Sequence, residues 1–262
     1  MAASAMAIGG RVFKPGYTMR LALGALMLGS AVVLALVALD DSPPNQAMLV
    51  AAGALVVGFV IACMLIARTS ITVGDMGIRK ESVFGAAEMM WPQVSETRYV
   101  FTPINYSAHF GLIGALFSSL GKKANGHATF RVIGLDGKQI KITSNFADAN
   151  EAIAMVLERT MPELVKKLRA RIERGETVAF GPVSLNKTAI RWKEKEPIPL
   201  AQLKSAELAG ANLAIKREGK WLSAISVKSD KVPNVLALLE VLEGLAPQLK
   251  AKGFDPLARV RA

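Results

Sequence analysis

The chain has 262 residues, 52% of them hydrophobic and 6% aromatic, and 32 Lys and Arg against 21 Asp and Glu give a net charge of +11. That apolar content excludes a disordered chain, and the single cysteine, Cys63, excludes an internal disulfide framework and a Cys-based zinc site. A mean hydropathy of +0.34 beside 20% charged residues is the average of two kinds of sequence, one suited to a membrane and one to water.

The apolar part comes first. Residues 21–39, LALGALMLGSAVVLALVAL, carry no charge, and at about 1.5 Å per residue they match a hydrocarbon core of roughly 30 Å. A second uncharged run, residues 48–67, follows the short loop DDSPPNQA, in which Pro43 and Pro44 mark a turn. Two spans make a helical hairpin. A cleaved signal peptide is the other use of the first run, but the run exceeds the usual signal core and lacks an A-x-A site. Arg11, Lys14 and Arg20 precede the spans, Arg68, Arg79 and Lys80 follow them, and the loop holds only Asp40 and Asp41. The positive-inside tendency then puts both termini in the cytoplasm. Ala25/Gly29 and Ala54/Gly58/Ala62 offer small faces for packing the hairpin on itself, with a homo-oligomer seam as their other use.

With the +3 of residues 1–20 and the −2 of the loop set aside, residues 68–262 carry +10. They contain an internal repeat. SITVGDMGIRKE (70–81) matches PVSLNKTAIRWKE (182–194), aligning Ile71 with Val183, Val73 with Leu185 and Ile78-Arg79 with Ile190-Arg191. Trp91-Pro92-Gln93-Val94 and Leu200-Ala201-Gln202-Leu203 follow at corresponding places. Asp136-Gly137-Lys138 and Glu218-Gly219-Lys220 read as tight turns of β-hairpins. Amphipathic helices carrying Ile153, Val156, Leu157 and Met161, then Leu238, Val241, Leu242 and Leu245, close the two copies. Thr160-Met161-Pro162-Glu163 reads as the start of a new helix, 161–174, that ends at Gly175 and links the copies.

These motifs resemble bacterial pleckstrin-homology-like (PH-like) membrane proteins, over residues 69–245. The resemblance implies an α+β protein of the bacterial inner membrane, in which a two-helix transmembrane hairpin precedes two tandem PH-like domains. Each domain would be a small antiparallel sheet or partial barrel with a C-terminal helix. The division expected is a cytoplasmic segment 1–20, the hairpin 21–67, PH-like domains 68–174 and 175–249, and a basic tail 250–262. The first hairpin of each domain lacks the basic cluster of phosphoinositide-binding relatives, so no headgroup specificity is implied.

Two stretches are candidates for contact. Residues 99–121 have no formal charge and interrupt the first repeat only. There Phe110, Ile113, Phe117 and Leu120 form the face of a short helix for the membrane interface or a partner groove, or else a cover over the open end of the sheet. Lys166, Lys167, Arg169 and Arg171, with Arg174, form a basic helix face that would dock on an anionic lipid surface or simply be solvated. No stacking aromatics interleave with the basic residues, which argues against nucleic acid. His109 and His127 lack metal-ligand spacing, and no nucleophile or phosphate loop is evident, so no metal, cofactor or enzyme activity is expected. The function expected is a membrane-anchored cytoplasmic binding or scaffold module for a protein partner or the anionic membrane surface. The alternative is a structural subunit assembled through the hairpin.

Overall fold

The computed structural model describes residues 9–40, 45–103, 126–209 and 211–250 and forms two compact units, Met1–Glu88 with Asn145–Ala149, and Met89–Ser144 with Asn150–Ala262. Among the described residues it is an α+β fold of five α-helices and several small antiparallel sheets.

The first unit begins with strand β1 (Gly10–Phe13), followed by helices α1 (Tyr17–Asp40) and α2 (Gln46–Ala67), then β2 (Ser70–Gly74) and β3 (Gly77–Ser82). With β4 (Gly85–Met90) these strands form a sheet in the order β1-β2-β3-β4. Segment 1–20 is therefore more than a flank, because β1 pairs antiparallel with β2 from Gly10↔Gly74 to Phe13↔Ile71. Gly10 is required there: a Cβ would come 2.2 Å from the Val73 carbonyl oxygen. The chain leaves this sheet at Phe13 and returns to the neighbouring strand at Ser70, with both helices in between.

The helices are an antiparallel pair. Asn45 caps α2 by accepting from the Met48 amide, and its own amide donates to Ala38 at the end of α1. Gly24 approaches Phe59, and Gly58 approaches Met27. The buried small residues are Gly24, Ala31 and Ala38 on α1, seven residues apart, and Ala52 on α2. This corrects the four-residue pattern read from sequence, of which Ala25, Gly29 and Ala54 face outward. Small residues are so common in these helices that their spacing alone could not select the seam. Among the described residues, α2 is the one helix long and apolar enough to cross a membrane, and Gly24–Asp40 is a shorter apolar helix.

The second unit contains the sheet β5-β6-β7, built from β5 (Val94–Pro103), β6 (Gly126–Gly134) and β7 (Gln139–Thr143), and helix α3 (Ala149–Glu173) at the start of which the units divide. It continues with β8 (Val178–Phe180), β9 (Val183–Leu185), β10 (Ala189–Trp192) and β11 (Ile198–Pro199), ordered β11-β10-β9-β8. The sheet β12 (Leu203–Ala209), β13 (Asn212–Arg217) and β14 (Ser223–Lys228) follows, then α4 (Val235–Leu245) and α5 (Pro247–Lys250).

Helix α3 corrects the expectation of two helices meeting at Pro162, since it runs unbroken through that residue. An interior proline costs about 3 kcal/mol. Against this, Ile153, Val156, Leu157, Met161, Val165, Leu168 and Ile172 make one continuous buried stripe, and each large apolar side chain contributes about 1.5–3 kcal/mol on burial. The carbonyl that loses its donor is that of Glu158, on the exposed face where water can reach it. The stop at Gly175 is as expected. With φ +85 it donates to Ile172 while Glu176 donates to Arg171, a paired closure of the last turn.

The repeat extends further than the sequence reading found. Val73↔Ile78 in the first copy and Leu185↔Ile190 in the second are the same cross-strand pair, and all four side chains are buried. Short 3-10 turns, Trp91–Gln93 and Leu200–Gln202, lead into β5 and β12. Gly137 and Gly219 both take positive φ in the later hairpins. Phe13↔Ile71 corresponds to Phe180↔Val183, the two phenylalanines being 3% and 1% exposed, and each precedes an x-Pro dipeptide. The residue before each closing helix, Asp148 or Asn234, is left-handed at φ 56 and 52. Each copy thus reads as four strands, three strands and a helix, and the first copy carries α1 and α2 where the second has Gly181-Pro182.

Candidate partner-binding surface

Phe110, Ile113, Phe117 and Leu120 lie outside the described residues, as does the tail from residue 251. What is described is that β5 runs on through Tyr99, buried opposite Phe130, and closes on β6 at Pro103↔Gly126. The second copy makes the same closure at Ala209↔Asn212. The uncharged stretch from Tyr99 thus begins as core strand, and residues 104–125 stand where the second copy has two residues.

The basic face of α3 is exposed but not chemically uniform. Arg171 and Arg174 both bond Glu176 at 2.8 Å, and these two guanidiniums hold the Glu176 carboxyl below its ordinary range. Arg169 lies over α4, where a Cβ on Gly244 would meet its guanidinium at 2.9 Å. Burial pushes the Glu240 carboxyl up, and the Arg169 charge partly opposes that shift. Of the expected contact cations, Lys166 and Lys167 remain as exposed side chains outside these pairings. Glu176 lies next to its arginines in the sequence, whereas Glu240 is brought toward Arg169 by the fold.

A different surface stands out at the β13–β14 hairpin. Gly219, at φ +71, makes the turn; the Lys220 amide donates to Arg217, and the Glu218 amide donates to Gln202 and ties the turn to the 3-10 segment before β12. The pairing slips between Ile215 and Lys216 and ends at Lys216↔Ser223, and Trp221 and Leu222 lie in the connection before β14 begins. Trp221 is 99% exposed and Leu222 is 81% exposed. Burying side chains of this size is worth about 1.5–3 kcal/mol each, a gain the isolated chain forgoes. Together with Ile198 and Ala224 they line an open recess of about 430 Å³, whose remaining polar rim is Ser223, Arg217 and Lys220. The lining holds two cations and no carboxylate. It is suited to an extended apolar segment carrying acidic residues, with the rings and methyls taking apolar side chains and the cations taking carboxylates.

The corresponding turn of the first copy has no Trp-Leu pair. It runs Leu135-Asp136-Gly137-Lys138 straight into β7, and Lys138 bonds Asp136 at 2.9 Å, which holds that carboxyl below its ordinary range. The signal missed in the sequence was the Trp-Leu pair set immediately after an acid-Gly-Lys turn, in the two residues before β14 begins at Ser223.

Among the described residues no group of three His, Cys, Asp or Glu side chains could hold a metal ion. His127 lies on β6 opposite Thr102, and His109 lies outside the described residues.

The chain matches the model of a family of unknown function, DUF6585, over residues 3–249. It belongs to that family. The DUF6585 match takes in β1, both long helices and both copies of the repeat. No curated protein and no solved structure matches the chain.

Proposed function

We propose that the chain is a non-catalytic, membrane-anchored binding module in which two tandem PH-like domains, 68–174 with β1 and 175–249, face the cytoplasm and recruit a protein partner. The observation that carries the anchoring is the pairing of β1 with β2. Two strands of one sheet lie on one side of a membrane, so if α2 crosses, α1 crosses back. The exposed side chains of the pair are those a lipid environment accepts, among them Leu26, Val33, Leu36, Val50, Val57 and Met64. Arg11 on β1 and Lys14 and Arg68 beside the helix ends, against Asp40 and Asp41 between the helices, favour the cytoplasmic side, at a bacterial inner membrane. The PH-like reading is supported by the order of four strands, three strands and a closing helix in each copy.

The binding role rests on Trp221 and Leu222 over their cationic recess. The test uses the full chain in nanodiscs against a peptide array of extended segments pairing Leu, Phe or Ile with Asp or Glu. Binding that falls at least tenfold in Trp221→Ser/Leu222→Ser, and weakens in Arg217→Glu, supports the role. Equal binding by the wild type and the double variant removes it. The second reading, a structural subunit held in a complex through the helices, is favoured by the open space at Gly29 and Gly53, where a Cβ meets nothing within 4 Å. Leu substituted at both glycines would disrupt such a complex and leave a binding module unaffected.

A further inference from the structure

The turn between β3 and β4 joins the two strands with Val83 and Phe84 alone, closed by the Ser82 hydroxyl donating to the Gly85 carbonyl and by Gly85 at φ +123. Two-residue turns ordinarily carry Gly, Asn, Asp or Ser, which suit their backbone and their exposure to water. Here both residues are large and apolar, and Phe84 is 92% exposed.

Register fixes where that turn sits. Ser70 on β2 pairs with Glu81 on β3. Ala67, the last residue of α2, lies three residues before Ser70, and Phe84 lies three residues beyond Glu81. The turn therefore projects from the end of the sheet at which the long helices enter and leave, the end that also presents exposed Lys14 and Arg68. Met76, in the β2–β3 turn, marks the opposite end, some five residues or about 15 Å along the strands.

The second copy supplies the comparison. Its corresponding turn follows Trp192, which pairs with Val183 as Lys80 pairs with Ile71, and it reads Lys193-Glu194-Lys195-Glu196. The Lys193 amide donates to Pro182, placing that turn beside the short connection that replaces α1 and α2. One topological position is charged where the sheet carries no long helices and apolar where it does.

We infer that Val83 and Phe84 form an interfacial anchor that inserts into the headgroup–acyl boundary of the membrane crossed by α1 and α2, with Lys14 and Arg68 against its phosphates. This rests on the spanning reading above. It adds a second contact with the bilayer, which fixes the tilt of the first sheet on the membrane instead of leaving the sheet free to swing on the helix ends.

The test begins from Cys63→Ser, which removes the lone cysteine, and places one cysteine at a time at Val57, Phe84 or Met76 for an environment-sensitive nitrobenzoxadiazole label. The full chain is reconstituted in vesicles of phosphatidylcholine with 30% phosphatidylglycerol, with or without doxyl-labelled lipid. The label at 57 reports the middle of α2, and the label at 76 reports the far end of the sheet. The expected result is strong quenching at 57 by deep doxyl groups, at least twofold quenching at 84 by shallow ones with a blue-shifted emission, and neither at 76. Quenching at 57 with position 84 behaving like position 76 overturns the anchor and leaves the spans intact. Absence of quenching at 57 overturns the spanning reading and the anchor with it.

Discussion

The two copies of the repeat differ mainly in what is inserted, and each difference falls in a connection between strands. The strands themselves keep their registers: Ile71, Val73 and Ile78 in the first copy and Val183, Leu185 and Ile190 in the second are all fully or almost fully buried at a constant offset. The first copy takes a pair of long helices between β1 and β2 and residues 104–125 between β5 and β6, where the second has two-residue connections at both places. Loop closure costs grow only slowly with length, so a sheet of this kind tolerates large insertions provided the strand ends stay adjacent. The first copy thereby carries the long apolar helices, which the proposed function places in the membrane, while the second has compact turns and an exposed Trp-Leu pair on one of them.

If the copies are equivalent, matched substitutions should behave alike. The largest effect is expected at the phenylalanines. Phe13→Ala and Phe180→Ala should each destabilise by about 3–5 kcal/mol, measured by denaturant unfolding in detergent, because both rings are buried at the end of the first strand of their sheet. A loss at Phe180 with none at Phe13 would break the equivalence at β1. Next come the left-handed residues before the closing helices. The Asn234 carboxamide oxygen accepts from the Thr97 amide at 2.7 Å and from its hydroxyl, and the Asn234 amide donates back to the Thr97 carbonyl at 2.8 Å. Thr97 is buried, so Asn234→Ala should cost about 2–3 kcal/mol. Asp148 is exposed, and Asp148→Ala should cost about 1 kcal/mol, chiefly for a Cβ-bearing residue without a polar side chain in that conformation. Equal losses would show that the tie between β5 and the Asn234 segment adds nothing.

Much of this comparison could be read in the chain. The matched Ile-Arg pairs, the acid-Gly-Lys turns and the apolar stripes carry local periodicities of two and of about 3.6, and these survive in the fold. Strand β1 could not be found that way. Four residues of strand sequence have no periodicity to speak of, and their partner lies more than fifty residues away. The only local trace is the shared Phe-x-Pro at Phe13-Lys14-Pro15 and Phe180-Gly181-Pro182. Pro162 is a helix breaker only locally, and the buried stripe of α3 on either side of it overrides that preference. The basic face of α3 was legible as charge, and Glu176 meets Arg171 and Arg174 locally through the closing turn at Gly175, whereas Glu240 and Gly244 are brought beside Arg169 by tertiary structure. Trp221 and Leu222 were visible as residues, but nothing local showed that the β13–β14 pairing stops at Ser223 and leaves them in the connection.

Smaller effects sharpen the comparison further. Gly137→Ala and Gly219→Ala force a Cβ into positive φ at corresponding turns and should each cost about 1 kcal/mol, read from the shift in the unfolding midpoint. The smallest effect concerns Glu176. Its carboxyl is held below the ordinary range by Arg171 and Arg174, so its contribution is present above the unfolded-state pKa and fades as pH falls through the lower folded value. The wild type should therefore melt slightly above Glu176→Gln at pH 7, and the two should converge once the pH is below the lowered folded-state value. A difference that does not shrink as the pH falls would assign the effect to something other than the carboxylate charge.

The central claim is that the first copy is the same sheet as the second, opened between its first two strands to admit two helices. It is tested most directly by replacing residues 14–70 with Gly-Pro, which joins Phe13 to Ile71 as Gly181-Pro182 joins Phe180 to Val183, and by following amide hydrogen exchange in the resulting protein. The expected result is slow exchange across 10–13 and 71–74, with cross-strand contacts that keep Val12 opposite Thr72. Exchange of residues 10–13 at the rate of an unfolded chain, in a protein whose second copy stays protected, would contradict it.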